Sequence, residues 1–439
     1  MKKIYLGLIG LGTIGTGVVK VLSENREIIR DRLGAELVLK KIADLDIDMD
    51  RGLDIDKSIL TRDAGEVIND PDISIVIELI GGYEPAKSFI LKAMDNGKNI
   101  ITANKALLST YGREIFDKAS EKGVGIAFEA SVGGGIPIIK AVKEGLAANR
   151  IKSILGIING TANYILSEMT NRGKDYGECL KNAQEKGYAE ADPTFDVEGV
   201  DTAHKLAILM TLCYGTPISA DDIYTEGITG ITPLDIRFAA QFGYKIKLLA
   251  ISKEKSGRIE ARVHPTMIPA SHMLAAVDGV YNAVFLRGNA VGALMFTGKG
   301  AGMMPTASAV VGDIIDIARD IQKGVSDRVP AVSFQKKGIK NIALTTMDNL
   351  EVEYYLRFSV VDRPGVLSKI SGVLGAHNIS IASVIQEGRG KGEAVPLVII
   401  THHARERDMF HALNEIGKLD VILNNTVVLR IEDLPGEGE

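Results

Sequence analysis

The sequence predicts an α/β protein of several domains, and three observations support this class. Short apolar runs alternate with helical patterns over the first part of the chain, the order expected of a parallel sheet covered by helices. A glycine-rich turn follows the first apolar run. The last part of the chain has the order βαββαβ. With 439 residues, 46% of them hydrophobic, the chain can form more than one core.

Composition excludes several classes of protein. Charged residues make up 24% of the chain, the formal net charge is −5, and no cluster of lysine and arginine occurs, so no nucleic-acid partner is predicted. The two cysteines, Cys179 and Cys213, lack metal-site spacing and fit a reducing compartment. Glycines interrupt the apolar start of the chain, and no run of about 18 apolar residues follows. We therefore expect a cytoplasmic protein without membrane association.

The glycine-rich turn has the pattern of a dinucleotide-binding loop. Residues 3–9 read as a buried strand and residues 16–33 as an amphipathic helix. The first glycine permits the tight turn, the second lets a pyrophosphate approach the backbone, and the third allows close packing of helix and strand. Free N–H groups at the start of the helix would face the phosphates. The predicted cofactor contacts are Gly10, Gly12, Thr13, Ile14 and Gly15 of a Rossmann domain.

Asp44 ends the second predicted strand, residues 37–43. A carboxylate there can accept hydrogen bonds from the adenosine ribose, which favours NAD because a 2′-phosphate would be repelled. Lys40 and Lys41 precede Asp44 and can soften that repulsion. The residues therefore leave NAD and NADP both open as the cofactor.

Two further strands, residues 73–80 and 99–102, end in loops, with a helical pattern over 84–96. In open α/β sheets, ligands lie beyond the carboxyl ends of the strands. Lys105, in the loop Thr102-Ala103-Asn104-Lys105, is either a solvated cation or a charge that reaches the cofactor or an anionic substrate.

Two polar blocks occupy the middle of the chain. Residues 129–137, EASVGGGIP, form a domain crossover loop, an oxygen-lined nest for a cation, or a hinge near an active site. Residues 159–164, NGTANY, open a helix. Its Gly160 and Thr161 can orient a small polar ligand, although they can equally serve as capping residues.

An acidic segment then leads into an unusual helix. The loop GYAEADP, residues 187–193, is followed by Asp196 and by a helix that carries Asp201 and Lys205 one turn apart. Such a pair is ordinarily a surface ion pair. This helix, however, is apolar nearly all round, which predicts burial and places the charges at the edge of a core. The segment suits an ammonium-bearing substrate and a proton-transfer group.

Six blocks together carry a family resemblance: GLGTIG, ITANKA, EASVGGGIP, NGTANYIL, GYAEADP and EGVDTAHKL. In this order they resemble homoserine dehydrogenase along the entire chain, and the lack of an aspartokinase domain resembles the monofunctional type. The resemblance implies NAD(P)-dependent interconversion of L-homoserine and L-aspartate 4-semialdehyde, in threonine, methionine and isoleucine biosynthesis.

The resemblance also implies a role for individual residues. Lys205 matches the proton donor and acceptor, Asp201 and Glu190 match substrate-binding acids, and Lys105 matches a residue between cofactor and substrate. Gly187 and Gly302 match cofactor contacts. The EASVGGGIP block matches a site for a monovalent cation, Na⁺ or K⁺, formed by Glu129 and the carbonyls of Val132, Gly134 and Ile136.

The C-terminal βαββαβ unit resembles an ACT domain, a ferredoxin-like regulatory module. L-Threonine, as a pathway end product, is the effector we expect, although a simple oligomerisation module is the alternative. The family's middle domain implies a homo-oligomer, a dimer or a tetramer. The expected domains are a Rossmann domain over 1–130, an α+β catalytic and dimerisation domain over 131–325, a linker over 326–349 and the ACT domain over 350–439, with a helix over 304–323 returning to the first.

Two rival interpretations remain at this point. One is another two-domain nicotinamide-dependent oxidoreductase, which would carry a Glu-Lys-Pro block where this chain has Ala-Asn-Lys-Ala. The other is a non-catalytic amino-acid sensor. The presence of Lys105, Glu190, Asp201 and Lys205 argues against a sensor.

Overall fold

The computed structural model describes residues 1–326, 328–387 and 394–432. Residue 327 of the expected linker and residues 388–393 and 433–439 of the expected ACT domain thus lie outside the described part. The strands are β1 Lys3–Ile9, β2 Glu36–Ala43, β3 Leu60–Thr61, β4 Ile73–Glu78, β5 Asn99–Thr102, β6 Ile126–Ala127, β7 Ile151–Ile157, β8 Tyr224–Thr225, β9 Tyr244–Lys255, β10 Arg258–Pro269, β11 Tyr281–Gly288, β12 Gly292–Lys299, β13 Glu351–Val361, β14 Ile381–Gln386, β15 Ala394–Thr401, β16 Ala404–Arg405 and β17 Val427–Ile431.

The helices are α1 Thr13–Glu24, α2 Arg26–Leu33, α3 Ala64–Ile68, α4 Ala86–Asp95, α5 Lys105–Lys122, α6 Ile138–Lys140, α7 Gly160–Arg172, α8 Tyr176–Glu185, α9 Thr194–Val197, α10 Val200–Tyr214, α11 Pro233–Gln241, α12 Met303–Lys323, α13 Val366–Ala376 and α14 Glu406–Ile416. The chain divides into two compact units. None of the described helices is both long enough and apolar enough to cross a membrane.

The first unit comprises Met1–Ile158, Ala203–Ile223 and Tyr281–Asn341. Its six-stranded parallel sheet has the order β3-β2-β1-β4-β5-β6, which confirms the predicted Rossmann-type fold. Helix α12 comes from far along the chain and packs its apolar face against α1 and this sheet, because alanine and isoleucine recur on one side of it. The unit also contains the antiparallel strands β12, β11 and β7 in that order.

Two predicted element boundaries in this unit are wrong, each for a local reason. The helix predicted over 16–33 is two helices, because Asn25, which follows the last residue of α1, has φ −102° and ψ 15°, outside the helical region. Strand β4 ends at Glu78 rather than at residue 80. The Glu78 carboxylate accepts the backbone N–H groups of Ile80 and Gly81, which turns the chain away from the sheet.

The second unit comprises residues 159–202, 224–280 and the described residues from 342 onward. Strands β9 and β10 form a long hairpin, and the strand order continues β10-β17-β13-β15-β14. Helices α13 and α14 contribute to the apolar core on β13 and β15, which confirms the βαββαβ order of the predicted ACT domain. Its last strand is β17, and before that strand an isolated bridge joins Val360 of β13 to Ile422.

Candidate active site

The glycine loop after β1 has the geometry that a dinucleotide requires. Gly10 has φ +99°, and a Cβ there would lie 2.8 Å from the Leu79 backbone. A Cβ on Gly15 would lie 2.2 Å from the Gly10 carbonyl oxygen, so close packing excludes any larger residue. At Gly12 an added Cβ would meet nothing within 4 Å. No side chain caps the N–H groups at the start of α1, at Thr13 and Ile14. These donors and the open space at Gly12 are therefore available to a pyrophosphate.

Asp44 is tied to this loop rather than extended into solvent. Its carboxylate accepts the Leu11 N–H at 2.5 Å and lies 3.2 Å from the guanidinium of Arg51. Arg51 also donates to the Leu11 carbonyl at 2.6 Å. Lys40 pairs with Asp70 and Asp72, and Lys41 pairs with Glu66. The cation beside Asp44 is therefore Arg51, a residue that the sequence analysis missed.

A buried network holds Lys105 at the carboxyl ends of β4 and β5. The Thr102 hydroxyl donates to the Glu78 carboxylate at 2.7 Å, and the Asn104 side chain donates to the Gly82 carbonyl at 2.6 Å. Asn104 also caps α5, because its Oδ1 accepts the Leu107 N–H at 3.1 Å. Lys105 is the first residue of that helix. Glu78, which is fully buried, was not singled out from the sequence.

Lys205 and Asp201 lie on α10 and are both buried, 8% and 2% exposed. The prediction that this helix keeps its charges at a core is confirmed, and the surface-pair interpretation is wrong. The Lys205 Nζ donates to the Ile158 carbonyl at 2.7 Å. Burial shields this amine from bulk water, which suits a group that exchanges a proton with a bound ligand.

In the second unit, Asn159 brings the predicted acids together. Its Oδ1 caps α7, while its Nδ2 donates to Asp196 at 2.7 Å and to Asp201 at 2.8 Å. The Thr161 hydroxyl lies 3.1 Å from the second Asp196 oxygen and 2.6 Å from the Tyr188 carbonyl. Two carboxylates and a hydroxyl thus form one hydrogen-bonded group, with Asn159 as the link that the sequence analysis did not single out as a site residue.

Other predicted residues of this unit border that group. A Cβ on Gly160 would lie 3.1 Å from the Val280 carbonyl, so the start of α7 packs too closely for a side chain. Gly187, with φ +71°, and Glu190 lie in the exposed loop on either side of Tyr188. The Glu190 carboxylate is exposed, whereas Asp196 is half-buried and Asp201 is buried.

The predicted cation ligands lie on a tight turn in the first unit. The Glu129 carboxylate is buried and accepts the N–H groups of Ile139 and Lys140, each at 2.8 Å. Gly134 has φ +54° and no room for a Cβ, which would lie 2.5 Å from the Gly300 carbonyl oxygen. Val132 and Ile136 are buried on the same turn. The Ile136 carbonyl already accepts the Ile138 N–H at 2.8 Å.

Burial raises the pKa of the Glu129 carboxyl. Asp313 of α12 accepts the Glu129 N–H at 2.8 Å, and burial together with the Glu129 charge raises the pKa of Asp313 to about 8. Gly302, at φ +115°, begins the same helix. Negative charge is therefore costly at this turn unless a cation balances it.

Comparison with known proteins decides the family. Family models match as "Homoserine dehydrogenase, NAD binding domain" over residues 10–129, "Homoserine dehydrogenase" over 137–315 and "ACT domain" over 354–421. A homoserine dehydrogenase from Neisseria gonorrhoeae is 46% identical over 434 residues, which cover 99% of this chain and 100% of the relative. The chain belongs to the homoserine dehydrogenase family.

Solved structures of the family agree over the same length. The structure from Thiobacillus denitrificans superposes with a TM-score of 0.93 at 45% identity and covers 99% of both chains. That from S. aureus gives a TM-score of 0.78 at 36% identity, over 99% of this chain and 100% of that one. The chain is thus an oxidoreductase with homoserine dehydrogenase activity, an NAD(P)-binding domain and an ACT domain, and the two rival interpretations are set aside.

Proposed function

We propose that Lys205 is the acid and base of the homoserine dehydrogenase reaction. The observation that carries this proposal is the burial of Lys205 beside the Ile158 carbonyl, on the same helix as the buried Asp201. In the reductive direction, Lys205 protonates the aldehyde oxygen as it becomes an alkoxide. In the oxidative direction it removes that proton from the hydroxyl of homoserine.

The bound nicotinamide supplies or accepts the hydride at the same carbon. Carbon and oxygen each gain one hydrogen in the reduction, one as hydride and one as the proton of Lys205, so the aldehyde becomes a primary alcohol. Lys105 stands at the ligand-binding edge of the parallel sheet and attracts the negative charge that develops on the substrate.

The acids of the second unit bind the substrate in this proposal. Asp201, Asp196 and Glu190 present carboxylates to the α-ammonium group of homoserine, which is common to substrate and product. Thr161 and the backbone at Gly160 orient its polar atoms. The hydrogen bonds from Asn159 to Asp196 and Asp201 support this role, because they hold both carboxylates in one place.

The cofactor loop fits a nicotinamide dinucleotide, since the open space at Gly12 leaves room for its pyrophosphate while Gly10 and Gly15 allow the tight turn and the close helix packing. Asp44 and Arg51 would face the adenosine ribose, and the pair is compatible with NAD and with NADP. A related archaeal homoserine dehydrogenase, 27% identical over 72% of this chain, has been solved in complex with NADPH. Gly187 and Gly302 would complete the cofactor site.

A monovalent cation, Na⁺ or K⁺, would bind the turn of Glu129, Val132, Gly134 and Ile136. One carboxylate and backbone carbonyls are the hard oxygen donors that such cations prefer. Each Glu129 oxygen accepts one N–H group and keeps a lone pair. The raised pKa of Glu129 supports the proposal, because a cation would offset the cost of its buried charge.

L-Threonine would inhibit the enzyme through the ACT domain. Within the second unit, β17 of this domain pairs with β10, and the buried Glu432 pairs with Arg262 and Lys253. Through these contacts, an effector bound to the ACT domain could act on the β9–β10 hairpin. The same contacts also make deletion of residues 350–439 a poor test, because it would remove Glu432, one of the two carboxylates that pair with the buried Arg262, and leave only Glu260.

The experiment that tests the main proposal measures the oxidation of L-homoserine with NAD and with NADP, in Na⁺, K⁺ and a bulky organic cation, with and without L-threonine. Wild-type turnover that disappears in Lys205→Met supports the acid–base role. Near-normal turnover of Lys205→Met excludes it. Sedimentation of the same preparation distinguishes the expected dimer or tetramer from a monomer.

A further inference from the structure

Two helices of the first unit carry the two lysines of the proposed mechanism. Lys105 opens α5, and Lys205 lies in the second turn of α10. Ser109 lies one turn after Lys105, and His204 directly precedes Lys205. The Ser109 Oγ lies 2.5 Å from the His204 Nδ1, and both residues are buried.

The Ser109 hydroxyl has two possible hydrogen-bond partners. The Ser109 Oγ is also 3.0 Å from the carbonyl oxygen of Ala106, which can only accept. When the hydroxyl proton points to Ala106, a protonated His204 Nδ1 donates to the Oγ, and when it points to His204, the Oγ donates to an unprotonated Nδ1, so both tautomers join α5 to α10. His204, next to Lys205, is thus linked through Ser109 to the carbonyl of Ala106, next to Lys105.

The two helices are not packed against each other along their whole length. A cavity of about 700 Å³ borders both of them, lined by α5 from Leu108 to Ser120 and by α10 from Ala207 to Leu212. Ser109 itself lines this cavity. Side chains that face this cavity lack packing contacts on that side, so a direct hydrogen bond between the helices contributes to their spacing there.

We propose that the Ser109–His204 hydrogen bond is a positioning element that fixes Lys105 relative to Lys205. The proposal rests on the roles given to the two lysines above. Hydride and proton must reach adjacent atoms of one carbonyl group, and a displacement of about 1 Å in catalytic geometry can cost roughly 100-fold in rate. Ser109 and His204 act through the lysines and do not touch the substrate in this proposal.

The test compares Ser109→Ala, His204→Leu and the double variant with wild type. We expect each single variant to lower kcat about tenfold, and the double variant to lose no more than the worse single one, because both remove the same link. The KM for cofactor should stay within about twofold, since Ser109 and His204 lie on α5 and α10 and not on the glycine loop before α1. His204→Asn should recover most of the turnover, because its amide can donate to the Ser109 Oγ in place of Nδ1.

Thr211→Val is the matched control on α10, because it removes a hydroxyl that donates to Ala207 of its own helix and accepts the Ile218 N–H, neither of which belongs to α5. A lower melting temperature with unchanged kcat in Ser109→Ala and His204→Leu, as expected for Thr211→Val, would overturn the proposal. Losses that add in the double variant would also overturn it. Lys205→Met distinguishes failure of this proposal from failure of the proposed function. Full turnover in Lys205→Met would reject the acid–base role of Lys205, whatever the effect of Ser109→Ala or His204→Leu.

Discussion

Arg430, on the last strand of the ACT domain, donates to the carboxylate of Glu226 at 2.8 Å. The residues that follow Glu226 form hydrogen bonds with the residues that precede α10. The Ile228 N–H donates to the Val197 carbonyl at 2.9 Å, and the Thr229 hydroxyl donates to Glu198 at 3.2 Å. One short chain of contacts therefore leads from an ACT strand to the peptide between Asp196 and Asp201.

The first prediction is that Glu226→Gln weakens inhibition by L-threonine. The substitution keeps the shape of the side chain but removes the charge that Arg430 contacts. We expect the half-inhibitory threonine concentration to rise about fivefold or more, the lower range of allosteric coupling, with turnover in the absence of threonine within about twofold of wild type. Initial rates over a threonine series measure both quantities.

Glu387→Gln is the control for this prediction. Glu387 also joins the ACT domain to the rest of the second unit, through Arg237 at 3.0 Å and Gln241 at 2.9 Å, and is similarly exposed. It contacts α11, not the segment before α10. An equal loss of inhibition in both variants would show that any weakened contact has this effect, and the route through Glu226 would be rejected.

The second prediction concerns Lys205 and Asp201. Lys205→Ala and Asp201→Ala should each lower turnover about 100-fold or more, the usual contribution of a general acid, while the dissociation constant of the cofactor stays near that of wild type. Lys205→Met and Asp201→Asn preserve side-chain volume and should lose turnover as well. Steady-state kinetics and a fluorescence titration of reduced cofactor check the two parts. Cofactor binding lost together with turnover would instead indicate misfolding.

The sequence predicts what depends on neighbouring residues and misses what depends on distant ones. The strand at Lys3–Ile9 and the buried charges of α10 follow from local pattern, and both are found. The bond from Asn159 to Asp201 joins residues 42 positions apart, and that from Ser109 to His204 spans 95. The periodicity of the sequence does not predict such long-range hydrogen bonds, because the same local patterns occur in folds that keep these residues apart. One feature of the sequence could have identified Glu78: it is a carboxylate at the end of an apolar strand, where an unpaired charge would be costly.

The third prediction is that Arg51→Leu weakens binding of NADPH more than binding of NADH. Arg51 lies 3.2 Å from the Asp44 carboxylate, so its loss leaves a negative charge without its cation near the expected ribose position. We expect the KM for NADPH to rise about tenfold more than that for NADH, equivalent to about 1.4 kcal/mol. The ratio is the useful readout, since loss of the bond to the Leu11 carbonyl affects both cofactors alike.

Arg62→Leu is the matched control, because Arg62 forms an exposed ion pair with Asp48, further along the same region. This variant should leave the ratio of the two KM values unchanged. Equal increases for NADPH and NADH in Arg51→Leu would mean that Arg51 only supports the glycine loop.

The fourth prediction is that neither cysteine reacts in the folded protein. Burial raises the pKa of the Cys179 thiol to about 11, with nearby acids adding to the effect, and burial raises that of Cys213 to about 12. The reactive thiolate is therefore scarce at pH 8, and both sulfurs are shielded from reagent. Ellman's reagent should release no colour from the native chain within minutes and two equivalents in guanidinium chloride. Fast reaction of one equivalent under native conditions would contradict the prediction.

The two thiols also report on the two units separately, because Cys179 lies in the second unit and Cys213 in the first. In Cys213→Ala, labelling of Cys179 should follow the opening of the second unit, and in Cys179→Ala, labelling of Cys213 should follow that of the first. If the units unfold together, the two variants will label at the same guanidinium concentration. Different midpoints would show that one unit opens while the other stays folded.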